Sequence, residues 1–125
     1  MTCQMAVPTN LIDQAAERFR LLSDPTRLRL LNELDAAEEL PVGELAERTS
    51  VGVSNTSKHL HQLEREGIVA KRRRGTTILY RIADPTLGQL CDLVCTELRQ
   101  RFAALAQSSS SSTAQPAVSA RHVRR

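Results

Sequence analysis

Apolar positions recur every three or four residues along most of this 125-residue chain, which is the spacing of an amphipathic helix. Proline, glycine and short polar residues interrupt the pattern and mark where one segment ends and the next begins. The pattern predicts five helices, at about 10–22, 25–37, 42–49, 53–66 and 85–106. Asn10 and Asp24 are the expected N-caps of the first two, because their side chains can accept from free backbone N–H groups.

A period of two replaces the helical period between the fourth and fifth helices. Ile78, Tyr80 and Ile82 alternate with their neighbours, as in a half-buried strand. The stretches 68–74 and 77–83 therefore predict two strands joined by a turn at Gly75. The predicted order is α-α-α-α-β-β-α, a mainly helical fold with one small β-hairpin.

The two ends of the chain differ from its middle. Residues 1–9 are expected to form a flexible N-terminal arm, and the Ser-rich basic stretch 107–125 is too polar to fold, so it is predicted to be a disordered tail. Residues 10–106 form the predicted domain. Neither a secretory signal nor an apolar run near the ~20 residues of a membrane span is visible, which predicts a cytoplasmic protein with no membrane partner.

Positive charge is concentrated in one part of the predicted domain. The three arginines of 107–125 account for the formal net charge of +3, so that residues 1–106 sum to zero. Within that neutral body, the stretch 53–82 holds seven basic and two acidic residues, a local charge of +5. A neutral domain with one basic segment indicates a surface that binds a polyanion.

The third and fourth helices, joined by a turn of about three residues, form a helix-turn-helix unit. On the fourth helix Thr56, Leu60 and Leu63 occupy the inward face, and His59 at its edge is expected to be a hydrogen-bonded structural residue. The outward polar residues are candidate contacts to bases and phosphates: Ser54, Asn55, Lys58 and His61, with Ser57 and Gln62 on the flanks.

Three consecutive arginines follow in the hairpin. A polar surface helix with no ligand would explain the fourth helix alone. Arg72, Arg73 and Arg74 favour nucleic acid over that alternative, because three like charges side by side repel one another unless an anion is bound.

The residues also resemble a known family, the ArsR/SmtB winged-helix repressors, over about residues 14–106. The resemblance lies in Leu22-Ser23-Asp24-Pro25-Thr26-Arg27-Leu28-Arg29-Leu30-Leu31, Val42-Gly43-Glu44-Leu45-Ala46, Ser57-Lys58-His59-Leu60-His61-Gln62-Leu63, Gly67-Ile68-Val69, Arg73-Arg74-Gly75 and Tyr80-Arg81-Ile82. It implies a winged helix-turn-helix homodimer built from the first and last helices. Such a dimer binds an inverted repeat in double-stranded DNA and releases it when an inducer binds.

Two inducer sites of that family are missing from this chain. Pro41 and Gly43 stand where family members with a third-helix thiol site carry cysteines. The zinc site of the family pairs Asp-x-His with His-x-x-Glu, but this chain has Asp84-Pro85-Thr86 and Glu97-Leu98-Arg99-Gln100. Without imidazoles, a site built from Asp84 and Glu97 is weak for zinc.

The cysteines are the remaining candidates for an inducer site. Cys91 and Cys95 are four residues apart on the last helix, so one ion can reach both sulfurs, and Cys3 on the N-terminal arm is a candidate third ligand. Thiolates favour thiophilic ions, with As(III) or Sb(III) first and Cd(II), Pb(II) or Cu(I) as further candidates. Packing of the thiols as small apolar groups, redox or persulfide sensing, and control by a protein partner are the alternatives.

Enzymatic activity is not expected from this sequence. It offers no set of nucleophile, base and acid, no glycine-rich phosphate loop and no paired carboxylates at the end of an element. No catalytic cofactor is therefore predicted.

Overall fold

The elements follow the predicted order with one addition, a short strand before the third helix. A computed structural model describes residues 6–109; Cys3 and the predicted tail from residue 110 onward lie outside the described residues. After a 3-10 turn at Thr9–Leu11, the elements are α1 (Ile12–Leu22), α2 (Pro25–Ala37), β1 (Leu40–Pro41), α3 (Val42–Thr49), α4 (Val53–Arg65), β2 (Val69–Arg74), β3 (Thr77–Ile82) and α5 (Leu87–Ser109).

The added strand turns the predicted hairpin into a three-stranded antiparallel sheet of order β1-β3-β2. Leu40 pairs with Tyr80 and Pro41 with Leu79, on the edge of β3 that β2 leaves open. A two-residue segment carries no periodicity, and Pro41 reads as a helix breaker. That is why the pattern predicted only the end of a helix at this point.

One predicted N-cap is correct and the other is wrong. The carboxylate of Asp24 accepts from the backbone N–H of Arg27 at 3.2 Å, and Pro25 takes the first helical position, where its missing N–H costs nothing. Asn10 lies inside the 3-10 turn instead, and α1 begins after Leu11 without a side-chain cap. Asn10 and Leu11 thus belong to a tighter turn that precedes the α-helix.

The core is built from leucines of α1–α4 together with residues of the sheet. Leu30, Leu34, Leu45, Leu60 and Leu63 are fully buried. On α2 the inward stripe is Arg27, Leu30, Leu31 and Leu34. Helical spacing in the sequence predicts a buried stripe of Leu28, Leu31 and Leu34 with Leu30 beside it, which is confirmed except at Leu28, which is 38% exposed. The first inward position of α2 is 27, even though it holds an arginine.

Gly75 makes the tight turn of the hairpin possible. Its φ is +64°, whereas the next residue, Thr76, is not among those with positive φ. This combination matches a type II′ turn, which favours glycine at its first central position and fits the twist of the paired strands. The turn joins Arg74 to Thr77, its partner in the register.

The chain divides into two compact units, one up to Asp84 and the other from Pro85 onward. The second unit contains α5, which continues to Ser109, three residues beyond its predicted end. Most of its apolar side chains are exposed, including Leu93, Val94, Leu98 and Leu105, whereas Leu87 is buried. Among residues 6–109, no helix has both the length and the apolarity needed to cross a membrane.

Candidate nucleic-acid interface

The helix-turn-helix unit consists of α3, a turn at 50–52 and α4. Ser50 takes the left-handed conformation that ends α3, and its N–H bonds back to Glu47. On α4, Thr56, Leu60 and Leu63 are buried as predicted. That leaves a continuous exposed polar face on which all four predicted outward residues lie: Ser54, Asn55, Lys58 and His61. Ser57, predicted at the flank, is half-buried.

Arg27 joins α2 to the inner edge of α4. Its side chain is buried and only 8% of the residue is exposed. The Nε group donates to Nδ1 of His59 at 3.2 Å, one terminal nitrogen donates to Oε1 of Gln62, and the other to the carbonyl of Leu21 at 3.5 Å. A buried guanidinium needs such acceptors to offset its loss of hydration, so these bonds hold α4 against the core.

His59 is therefore the hydrogen-bonded structural residue that the sequence predicted. Burial lowers its pKa below the ordinary value of 6.5, and the charge of Arg27 lowers it further, while Asp24 acts in the opposite direction. The bond from Arg27 requires an unprotonated Nδ1. At neutral pH the histidine is thus a neutral acceptor beside a permanent cation.

Arg72, Arg73 and Arg74 lie on strand β2 of the hairpin, as the predicted strand 68–74 placed them. The hairpin of β2 and β3 is called the wing. Arg72 forms a bidentate ion pair with Glu39: Nε donates to Oε2 at 2.6 Å and a terminal nitrogen donates to Oε1 at 2.7 Å. Arg73 and Arg74 are exposed and have no ion pair within the described part of the chain. Arg72 therefore has an internal anion in Glu39, and the unrelieved positive charge that favours nucleic acid lies on Arg73 and Arg74.

Two residues near this surface have features that the sequence pattern did not predict. Val53 opens α4 beside Ser54 and is 56% exposed, although a valine is usually assigned to the core. Gln62 was placed on the flank, but its amide accepts from Arg27. The sequence signal was the arginine at position 27, which has the spacing of the inward stripe of α2 and therefore needs a polar partner on another element.

The cysteine pair lies on one helix with the predicted spacing. Cys91 is half-buried and Cys95 is exposed, and both are thiols rather than a disulfide. Residues 6–109 contain no group of three or more His, Cys, Asp and Glu side chains placed to hold a metal ion. Within that range the pair therefore supplies two soft ligands. Cys3 lies outside it.

The carboxylate of Asp84, which would belong to the zinc site of the resembled family, is already bound. Arg18 donates to it at 2.6 Å and also donates to the carbonyl of Glu66 at 2.7 Å. Together with the missing imidazoles, this contact makes Asp84 a structural residue.

These features define a winged helix-turn-helix protein. A family model described as a helix-turn-helix domain matches residues 22–72. The transcriptional regulator KmtR of Mycobacterium tuberculosis is 38% identical over 84 residues, which cover 67% of this chain and 64% of KmtR. The match thus spans slightly less than two thirds of that relative.

Solved structures agree with the fold. The homodimeric winged helix-turn-helix DNA-binding domain of Mb0332 from Mycobacterium bovis has a TM-score of 0.66 and 32% identity, over 80% of this chain and 92% of that one. The antimony-specific transcriptional repressor AntR has a TM-score of 0.68 and 25% identity, over 82% and 92%. The chain belongs to the ArsR/SmtB family of winged-helix transcriptional repressors. The comparisons place it among regulators rather than enzymes.

The lowered pKa of His59 predicts a loss of stability in mild acid. As pH falls through 6.5, the unfolded chain takes up the proton before the folded chain does, so the free energy of unfolding decreases towards the folded-state pKa. In urea unfolding at about pH 7.5 and about pH 5.5, His59→Gln should lose less stability than the parent, because its amide oxygen still accepts from Arg27 at both pH values. The exposed His61→Gln variant is the matched control. Equal losses in the parent and His59→Gln would contradict the assignment.

Proposed function

We propose that this chain is a sequence-specific DNA-binding repressor that acts as a homodimer on an inverted-repeat operator. The observation that carries the proposal is the exposed polar face of α4 beside the unpaired wing arginines Arg73 and Arg74. In winged-helix proteins the second helix of the unit, the recognition helix, enters the major groove and its N-terminal residues meet the base edges. In this chain the recognition helix is α4. We further propose that a thiophilic metal or metalloid, bound at Cys91 and Cys95, releases the operator.

The two parts of the interface have different roles in this proposal. Asn55 and Ser54 in the first turn of α4 read base edges, and Val53 beside them is suited to contact a thymine methyl group. Lys58, His61 and Ser57 follow on the same helix and meet bases or phosphates. Arg73 and Arg74 bind phosphates, which gives affinity without sequence information.

Base and phosphate contacts should separate in binding measurements. Asn55→Ala should reduce the preference for an operator, selected from random duplexes with the parent protein, over random DNA by roughly 1–3 kcal/mol. Arg73→Gln should weaken both duplexes alike and lower the slope of log affinity against log salt by about one. Arg99→Gln, the same charge change on α5, is the control and should alter neither quantity. If Asn55→Ala weakened both duplexes equally, the base-reading role would be refuted.

Dimerisation is proposed through the apolar surfaces of the first and last helices. Phe19 and Ile12 on α1 are about half exposed, and Leu98 on α5 is 40% exposed. Large exposed apolar surfaces are unfavourable in water and usually mark an interface. The Mb0332 domain, which is homodimeric, supports the same assembly here.

Leu98→Glu should convert the dimer into monomers, because a carboxylate buried in an apolar seam lacks a partner. Operator affinity should fall with it, since one half-site cannot supply the affinity of two. Sedimentation velocity gives the assembly state. Thr96→Glu places the same charge on another face of α5 and should remain dimeric. A dimeric Leu98→Glu variant would exclude this seam.

The proposed inducer follows from the two soft ligands. Two thiolates at positions i and i+4 of one helix can share an ion, which drives their deprotonation even from ordinary thiols. As(III) and Sb(III) rank first, and Cd(II) and Pb(II) remain candidates. The similarity to AntR, an antimony-specific repressor, supports a thiophilic inducer for this chain.

Replacing Cys91 and Cys95 with serine should preserve operator binding and abolish its release. A coupling of ~1–3 kcal/mol would make release a 5- to 150-fold loss of affinity in the parent. The measurement is operator affinity with As(III), Sb(III), Cd(II), Pb(II), Zn(II), Cu(I) or a polysulfide added in turn. Cys3→Ser tests the third ligand. If the double variant left the operator at the same inducer concentration as the parent, the cysteine pair would have only a packing role. If polysulfide alone released the parent from the operator, the pair would be a redox sensor.

A further inference from the structure

The two faces of the wing carry different charges. Paired strand residues lie on one face, and successive residues alternate between faces. Lys71 and Arg73 therefore share the face of the buried Tyr80, whereas Arg72, Arg74 and Arg81 share the other face. Nζ of Lys71 lies 3.6 Å from Oε1 of Glu64 on α4. The face of the wing that carries Lys71 and Arg73 is therefore the one turned towards the recognition helix.

Glu39 is the acid on the second face. It precedes β1, and Pro41 on the same strand pairs with Leu79, which in turn pairs with Arg72. Pro41 and Arg72 thus lie two strands apart, about 9–10 Å at the backbone. Glu39 lies two residues before Pro41, so its backbone is farther still from that of Arg72. Only two long side chains can close that distance, and here the carboxylate and guanidinium meet through two hydrogen bonds.

The backbone before Glu39 is turned sharply. Glu38 ends α2 with φ of +73° and ψ of −50°, a conformation that residues with a side chain rarely adopt. Its N–H bonds to the carbonyl of Leu34 at 2.8 Å. This turn brings Glu39 directly from the end of α2 to the edge of the sheet.

Glu39 occupies one pair of donors of the Arg72 guanidinium, Nε and one terminal nitrogen, and three N–H groups remain. The carboxylate also neutralises the charge of the guanidinium, so a phosphate at the remaining donors gains no net positive charge and is repelled by Glu39. Hydrogen bonding from Arg72 lowers the pKa of the Glu39 carboxyl, and the charges of Arg81 and Arg74 lower it further. Glu39 is therefore ionised throughout the neutral range and is not removed by protonation.

We infer that Glu39 withholds Arg72 from DNA and makes it a positioning residue of the wing. The Glu39–Arg72 pair, which we call the clasp, joins β2 across β3 to the segment that follows α2. Arg73 and Arg74 are therefore the arginines of the wing that contact phosphate. The inference rests on the proposed DNA-binding function. It changes the expected role of one of three neighbouring arginines, and it assigns Glu39 a part in limiting non-specific affinity.

Salt dependence distinguishes a clasped arginine from one that contacts phosphate. The probe is a fluorescent duplex of random sequence, titrated at several KCl concentrations. Arg73→Gln should lower the slope by about 0.9, and Arg72→Gln should leave it unchanged. Glu39→Gln frees Arg72, so its slope should rise by about 0.9 and its affinity for random DNA should increase. The exchanged pair, Glu39→Arg with Arg72→Glu, rebuilds the clasp and should return the slope to that of the parent.

A second measurement needs no DNA. In an NMR titration, the Glu39 carboxyl should titrate at higher pH in Arg72→Gln than in the parent or in Arg73→Gln. Equal slopes for Arg72→Gln and Arg73→Gln, or an unmoved Glu39 titration in Arg72→Gln, would overturn the clasp while leaving DNA binding intact. If the parent bound no duplex at any KCl concentration, the proposed function would fail, whatever the titration gave.

Discussion

The position of the recognition helix depends on a buried cation without a carboxylate partner among the described residues. Arg27 donates its side-chain hydrogen bonds to three neutral acceptors, two of them on α4. Removing the arginine would leave Nδ1 of the half-buried His59 without its donor at the inner edge of that helix, and an unsatisfied polar group costs more than the net gain of making its bond. The leucines of α4 supply most of the burial energy, but apolar contacts are non-directional. The forked guanidinium adds direction, and it sets the rotation with which the outer face of α4 is presented.

Periodicity was sufficient to predict much of this arrangement. Thr56, Leu60 and Leu63 are spaced so that one face of α4 must be inward, and the outward set follows from the same geometry. The Arg27 network could not be derived in this way, because a period identifies a face but not a partner on another helix. Leu28 illustrates the error that results: the pattern preferred an apolar residue to the arginine that actually occupies the inward position. Charge at a stripe position is thus a signal in its own right.

The charge of the wing depends on contacts that no local pattern contains. Three adjacent arginines repel one another strongly only where no acid approaches from elsewhere in the chain. Glu39 is 33 residues away in sequence and reaches Arg72 through a strand of two residues, too short to leave a pattern. The hairpin itself was predictable, because its alternation and its glycine turn are local. Its charge balance was not, because it depends on a long-range pairing.

The last helix combines the proposed assembly and sensing surfaces. Cys91, Val94, Leu98, Phe102 and Leu105 follow one another at helical spacing, and Cys95 lies next to this stripe. If the stripe is the seam between two copies, any ion held by the two thiolates acts on the seam itself rather than through a chain of intermediates. A charged, ligated pair and a protonated, apolar pair then favour different separations of the helices, since only the second packs as a small hydrophobe. Half-site spacing in an inverted repeat is set by the separation of the two recognition helices, so the proposed release requires that a change at the seam alter that separation.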